Sequence, residues 1–303
     1  MNQGWGKTGT KVHKAKGAGK FLFSLSKKNS TIFMDNAKVV IITGASSGIG
    51  KSLAWGYARR GWHLVLGARR VDMLEAMRPA LESAGSRVLC IKTDVSRESD
   101  CRKLIEAAVN EFGKIDILIN NAGISMRALF KDVELDVIRQ LMDVNFWGTV
   151  YCTKYALPHL LQSRGSVVGI ISVAGYVGLP GRTGYSASKF AVRGFLETLR
   201  TENLKTGLHV LIAAPGFTAT NIRFTALTAD GTPQQSSPRE ENKMMSADDV
   251  ARRIIRAIDA RKNTLILTFL EGKFTVFLHK FFPGLVARLT YNHMAKEPDS
   301  PFK

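Results

Sequence analysis

Three residues of the 303-residue chain have types and positions suited to acid–base chemistry at a carbonyl or hydroxyl oxygen: Ser172, Tyr185 and Lys189. Tyr185 and Lys189 are four apart, so a helix brings them to one face. A phenol of ordinary pKa, about 10, is a poor base at neutral pH. A neighbouring ammonium stabilises the phenolate and lowers that value, which makes a Tyr-x-x-x-Lys pair a tuned acid/base. Ser172 closes an apolar run upstream and supplies a second hydrogen bond to the same oxygen. Tyr-x-x-x-Lys alone is common and weak. Its specificity here comes from that serine and from a glycine-rich turn far upstream.

The turn is Thr43-Gly44-Ala45-Ser46-Ser47-Gly48-Ile49-Gly50, placed after an apolar strand and before a helical pattern. Gly44 permits a sharp turn, Gly48 lets backbone approach a pyrophosphate, and Gly50 allows a helix to pack closely on a strand. The helix that follows offers unpaired N–H groups and the positive end of its dipole to phosphates. The next strand ends in Gly67-Ala68-Arg69-Arg70, with no acid between His63 and Val71. A site for NAD(H) usually carries an Asp or Glu there for the ribose 2′-hydroxyl. Two arginines suit a 2′-phosphate instead. The expectation is therefore NADP(H) in preference to NAD(H), with Arg69 as the main contact and Arg70 in support.

Alternating elements must position these groups. Val39–Thr43, His63–Ala68, Arg87–Lys92, Ile115–Asn120, Val167–Ser172, His209–Ala213 and Thr264–Leu267 read as buried strands. Helical patterns cover Gly48–Arg60, Val71–Ser83, Glu98–Phe112, Asp136–Leu161, Tyr185–Lys205 and Ala247–Arg261. That alternation predicts an α/β fold: a Rossmann-type, doubly wound parallel sheet of about seven strands with helices on both faces. Residues 225–245 lack periodicity and read as a mobile loop. Domain bounds are set at 1–34 for a basic arm, 35–270 for the dinucleotide-binding domain and 271–303 for a helical extension. Within the last, Phe274, Phe277, Phe281, Phe282 and Leu285 recur at helical spacings, read as core or dimer contact ahead of membrane-surface contact.

Taken together, the ordered motifs resemble the short-chain dehydrogenase/reductase family. They are Thr43-Gly44-x-x-x-Gly48-x-Gly50, Asn120-Asn121-Ala122-Gly123, Asn145, Ser172, Tyr185-x-x-x-Lys189 and Pro215-Gly216, and the likeness spans about residues 37–270. A narrower likeness, over Thr225–Gly231 and Phe282–Leu285, is to the dehydrogenase/reductase seven-B type and its bacterial relatives. The resemblance implies that Tyr185 protonates a carbonyl oxygen while Ser172 orients it. It implies that Lys189 holds the nicotinamide ribose and lowers the Tyr185 pKa, and that Asn145 holds a water linking Lys189 to solvent. It places Asp94 and Val95 at the adenine, and Asn121, Ala122 and Gly123 beside the adenosine ribose. Ser46, Ser47 and Ile49 lie in the phosphate turn, and Pro215, Gly216, Thr218 and Thr220 lie at the carboxamide. Many relatives carry an apolar residue in place of Thr218.

The expected substrate wall is Ile124, Val173, Tyr176 and Phe217, with Met126, Val177 and Leu179 beside it and Phe224 and Leu227 closing over it. This mostly apolar set favours a hydrophobic carbonyl or alcohol substrate over a charged sugar. Arg127 and Arg182 in adjoining loops read as solvated. The alternative function is a non-catalytic dinucleotide-sensing scaffold on the same fold.

Composition narrows the remaining classes. The chain carries 43 Lys+Arg against 25 Asp+Glu, a net charge of +18, and is 45% hydrophobic, which excludes wholesale disorder. Seven lysines and no acid fall in residues 1–34, leaving +11 for the rest. The arm reads as solvated and carries no aromatic stacking pattern, so no nucleic-acid partner is expected. Met34, directly ahead of the first strand, is read as a candidate start. Three scattered cysteines and no Cys/His cluster argue against a disulfide framework and against a metal. A cytoplasmic homodimer or homotetramer is expected, with peripheral membrane association as the alternative.

Overall fold

A computed structural model describes residues 37–237, 244–297 and 300–302. The arm and the Met34 reading fall outside the described residues. Seven parallel strands form one sheet in the order β3-β2-β1-β4-β5-β6-β9. They are β1 (Val39–Thr43), β2 (His63–Ala68), β3 (Val88–Lys92), β4 (Ile117–Asn120), β5 (Ser166–Ile170), β6 (His209–Ala214) and β9 (Thr264–Ile266). This is the expected Rossmann-type sheet, with ends shifted by one or two residues.

Side chains alternate across a strand, and here the alternation divides the core. Val40, Ile42, Leu64, Leu66 and Ile119 face one side and pack on α1 (Gly48–Ala58), α2 (Val71–Ser83) and α7 (Ala247–Asp259). Val39, Ile41, Val65, Leu118 and Val167 face the other. They pack on α3 (Glu98–Phe112), α5 (Gly148–Ser163) and α6 (Thr183–Glu202). Both faces are covered, so strands such as β1 are apolar and buried throughout.

Strand order reverses between β1 and β4, whose pairing sets Val40 opposite Ile117. Their carboxyl ends open a crevice at this switch point, the usual ligand site of such sheets. The long helical pattern after β4 is not uniform. It comprises α4 (Leu135–Leu141), a π-helical turn at Met142–Trp147 and then α5. That wider turn carries the buried Asn145, and such turns frequently mark functional positions.

The stretch read as a mobile loop is in part built. Leu227 bridges Met126 and Pro233, and Asp230 ties Thr228 and Thr232 into a tight turn. Two-residue strands β7 (Thr218–Ala219) and β8 (Met245–Ser246) pair across it. Residues 238–243 within this stretch lie outside the described residues. The carboxyl-terminal segment forms a π-helical turn (Phe269–Phe274), α8 (Thr275–Phe281) and α9 (Pro283–Ala295). Ala37–Lys303 is one compact unit, with this segment part of it.

Candidate active site

Local folding explains how the site is assembled. In α6 the buried face runs through Tyr185, Ser188, Lys189, Val192, Leu196 and Leu199. The same stripe that seats the helix on the sheet therefore carries the reactive pair at its amino-terminal end. Lys189 Nζ donates a 3.0 Å hydrogen bond to the Ile170 carbonyl, at the end of β5. It stands 5.9 Å from the centre of the Tyr185 ring. Ser172 follows β5 and is hydrogen-bonded to Tyr185; its Oγ also accepts from the Ala174 N–H at 3.2 Å.

Burial pushes the Tyr185 phenol above its ordinary value, while the Ser172 hydrogen bond and the Arg182 guanidinium pull it back. Burial also pushes the Lys189 ammonium down to about 8. The Arg182 guanidinium is thus a cation near the phenol that the sequence expectation did not assign. Nor is Arg182 solvated: it is 5% exposed, and its Nη1 donates to Ser125 Oγ at 3.1 Å and the Met126 carbonyl at 3.0 Å. Arg127 is likewise buried, paired with the buried Glu297 at 3.5 Å. Sequence patterning sends isolated arginines to solvent, but a partner 170 residues away in the chain reverses that.

Asn145 acts through its side-chain amide. Its Oδ1 accepts from the Ile124 N–H at 2.8 Å, and its Nδ2 donates to the Ile124 carbonyl at 3.0 Å and to Ser188 Oγ at 2.9 Å. Ser188 in turn donates to the Tyr185 carbonyl at 2.8 Å. Asn145 thus joins the loop after β4 to the helix bearing Tyr185. Its main-chain carbonyl also accepts from Thr149 Oγ1 at 2.9 Å.

The nucleotide half is braced by Thr43, which sequence reasoning quoted only as part of a motif. Its Oγ1 accepts from the N–H groups of Asn121 and Ala122, each at 3.0 Å. Asn121 Nδ2 donates to the carbonyls of Thr43 and Gly44 at 2.9 and 3.2 Å. Gly44 has φ +65°, and a Cβ there would lie 2.8 Å from Ala122 Cα. A Cβ on Gly50 would lie 2.4 Å from the Gly44 carbonyl oxygen, so this glycine serves packing and does not line the cavity. Arg70 Nη2 donates to Ser46 Oγ at 3.2 Å and Ser47 Oγ at 3.3 Å. Arg69 is exposed beside it. Arg70, not Arg69, is therefore the arginine held over the phosphate turn.

One cavity of about 1070 Å3 runs from this turn to the reactive pair. Of the expected cofactor residues, Gly44, Ser46, Ser47, Gly48, Ile49, Arg69, Arg70, Asp94 and Val95 line it. So do Asn121, Ala122, Gly123, Pro215, Gly216, Thr218 and Thr220. Asp94 Oδ1 also accepts from Ser96 N and Oγ, which makes it a turn residue at the head of α3. The glycine cradle and the open first turn of α1 fit a dinucleotide. On the substrate side, Ile124, Val173, Phe217, Leu179 and Leu227 line the cavity. Tyr176 does not: its ring lies 4.1 Å under the Arg193 guanidinium. The π-helical turn ending at Phe274, with α8 and α9, supplies a wall that sequence reasoning missed, through Phe274, Leu278, Leu289 and His293 among others.

The family model described as short chain dehydrogenase matches residues 38–230, and the chain belongs to that family. It is similar to 11-beta-hydroxysteroid dehydrogenase 1A of Arabidopsis thaliana, at 44% identity over 203 residues, covering 65% of this chain and 57% of the relative. It is also similar to 11-beta-hydroxysteroid dehydrogenase-like 3 of that plant, at 45% over 187 residues, covering 61% and 60%. The chain thus spans less than two thirds of the length of these curated relatives. Among solved structures, an alcohol dehydrogenase from the archaeon Thermococcus sibiricus complexed with 5-hydroxy-NADP is similar. It shares a TM-score of 0.66 and 25% identity, covering 76% of this chain and 94% of that one.

Proposed function

We propose that the protein transfers hydride between NADP(H) and a carbonyl or secondary alcohol on a mostly apolar substrate, with Tyr185 as general acid/base. The observation that carries this reading is the Ser172–Tyr185–Lys189 cluster, its tyrosine and lysine buried, which shares one cavity with the glycine turn and the arginine pair. The dinucleotide, when bound, supplies or accepts the hydride. The residues of the chain manage the oxygen. In the direction of reduction, Ser172 donates a hydrogen bond that orients the carbonyl, and Tyr185 Oη delivers the proton as the oxygen gains charge. Burial keeps the phenol protonated at neutral pH, which suits a proton donor. Oxidation of an alcohol needs the phenolate and gains with rising pH.

Lys189 contributes a buried cation beside the ring, and Asn145 and Ser188 hold its helix against the loop at Ile124. Arg70, anchored on Ser46 and Ser47, and Arg69 would grip the 2′-phosphate. The apolar wall from Phe217, Leu179, Phe274 and Leu278 suits a hydrophobic ketone. The test is oxidation of NADPH and of NADH over a panel of apolar ketones and aldehydes. Turnover with NADPH well ahead of NADH is expected. Dinucleotide binding without turnover of any carbonyl or alcohol would favour the sensing scaffold.

A further inference from the structure

The cavity wall built by α8 and α9 has a second face, and that face is apolar and open. Phe269, Phe277, Phe281 and Phe282 are 71%, 59%, 63% and 58% exposed, and Leu285 is exposed beside them. Phe277 and Phe281 are one turn apart, with ring centres 5.3 Å apart, and Pro283 and Gly284 follow at the tip of the hairpin. Isolated exposed apolar residues are ordinary, whereas a contiguous aromatic patch marks an interaction surface. This one is not a loose end. On the opposite face Val276 and Val286 are buried against Val173 and Val177, and Arg127 holds Glu297 just beyond α9.

Charge selects the occupant. Lys273, Lys280, Arg288 and Lys296 are exposed on the same segment, with Glu271 the one exposed acid among its described residues. A second copy seated on this face about a two-fold axis would set positive charge against itself. An anionic lipid surface matches both the aromatic rings and the basic rim. Leu270, Phe274 and Leu289 belong to the exposed face and to the cavity lining alike, so the cavity reaches the patch.

We propose that the α8–α9 hairpin seats the protein on an anionic membrane surface, with the mouth of the reaction cavity facing the lipid. The rings of Phe277 and Phe281 enter the interfacial region, and Lys280 and Arg288 contact headgroup phosphates. Apolar substrates dissolved in the bilayer then reach the cavity without crossing water, a consequence that rests on the function proposed above. Seating itself does not.

The test is co-sedimentation of the full chain with phosphatidylcholine vesicles, with and without about a third phosphatidylserine. The chain should bind the anionic vesicles preferentially and release with rising salt. The variant Phe277→Ser/Phe281→Ser should bind at least about tenfold more weakly, with its activity on a water-soluble ketone unchanged. Lys280→Ala/Arg288→Ala should reduce the preference for anionic lipid. Vesicle binding at wild-type strength in Phe277→Ser/Phe281→Ser would overturn the proposal, because it would place the contact on the lysines of residues 1–34. So would a shift to a smaller oligomer in that variant without any vesicle binding by the parent, which would make the face a contact between copies. Sedimentation needs neither cofactor nor turnover, so a failed reductase reading would leave this result standing.

Discussion

Replacing Lys189 with Met should stabilise the ligand-free protein at neutral pH, and the gain should disappear in alkali. In the folded chain burial holds the ammonium at about 8, against 10.5 for the free side chain. The folded state thus binds fewer protons than the unfolded state, and stability rises with pH through that interval. Below pH 8 the buried charge costs about 3 kcal/mol, and at pH 10 roughly 1 kcal/mol remains. Methionine fills a similar volume without the charge. It also strips the Ile170 carbonyl of its hydrogen bond, at a cost of roughly 1–2 kcal/mol that does not vary with pH. The variant should therefore be more stable by about 1–2 kcal/mol at pH 7 and no more stable than its parent at pH 10. Urea unfolding at the two pH values, without dinucleotide, measures this. The difference between the two stability changes, about 2 kcal/mol, does not depend on the carbonyl term. An equal effect at pH 7 and pH 10 would refute a buried ammonium strained by desolvation.

Other outcomes follow from the same geometry. Arg182→Gln removes the cation that pulls the Tyr185 phenol down, so the alkaline rise of kcat/KM for alcohol oxidation should move to higher pH. Arg182→Lys should restore it in part, and an unmoved limb would take Arg182 out of the role. Arg70→Ala should raise the Kd for NADPH about tenfold or more while leaving NADH unchanged, measured by fluorescence titration. A larger effect from Arg69→Ala would reverse the assignment of the two. Arg127→Leu strands the buried Glu297 and should destabilise by about 3 kcal/mol or more. Arg127→Leu/Glu297→Leu should recover part of that loss, and denaturation of the three proteins gives the coupling.

Much of the fold was legible because each parallel strand is buried on both faces and so appears as a short apolar run. The reactive pair was legible because helical spacing alone puts Tyr185 and Lys189 together, and the glycine turn because its position between strand and helix gives it a purpose. What escaped depends on distant partners. Strands β7 and β8 have two residues each, too few for any period, and pair across a span of aperiodic sequence. The π-helical turn at Asn145 leaves the hydrophobic pattern nearly unchanged. Arg127 and Arg182 carry no local sign of burial, since Glu297, Ser125 and the Met126 carbonyl reach them only in the folded chain. Tyr176 sits close to Ser172 in sequence, yet its ring turns to Arg193 and away from the cavity. The substrate wall from α8 and α9 looked like an appendage because nothing in its spacing says which of its faces meets the site.

The most direct test of the central claim is single-turnover reduction of an apolar ketone by the Tyr185→Phe variant loaded with NADPH. Loss of the proton donor should slow the chemical step by about a thousandfold, with NADPH affinity and the folded state unchanged. Reduction at the parental rate by that variant would contradict the assignment of Tyr185 as the acid and the catalytic reading built on it.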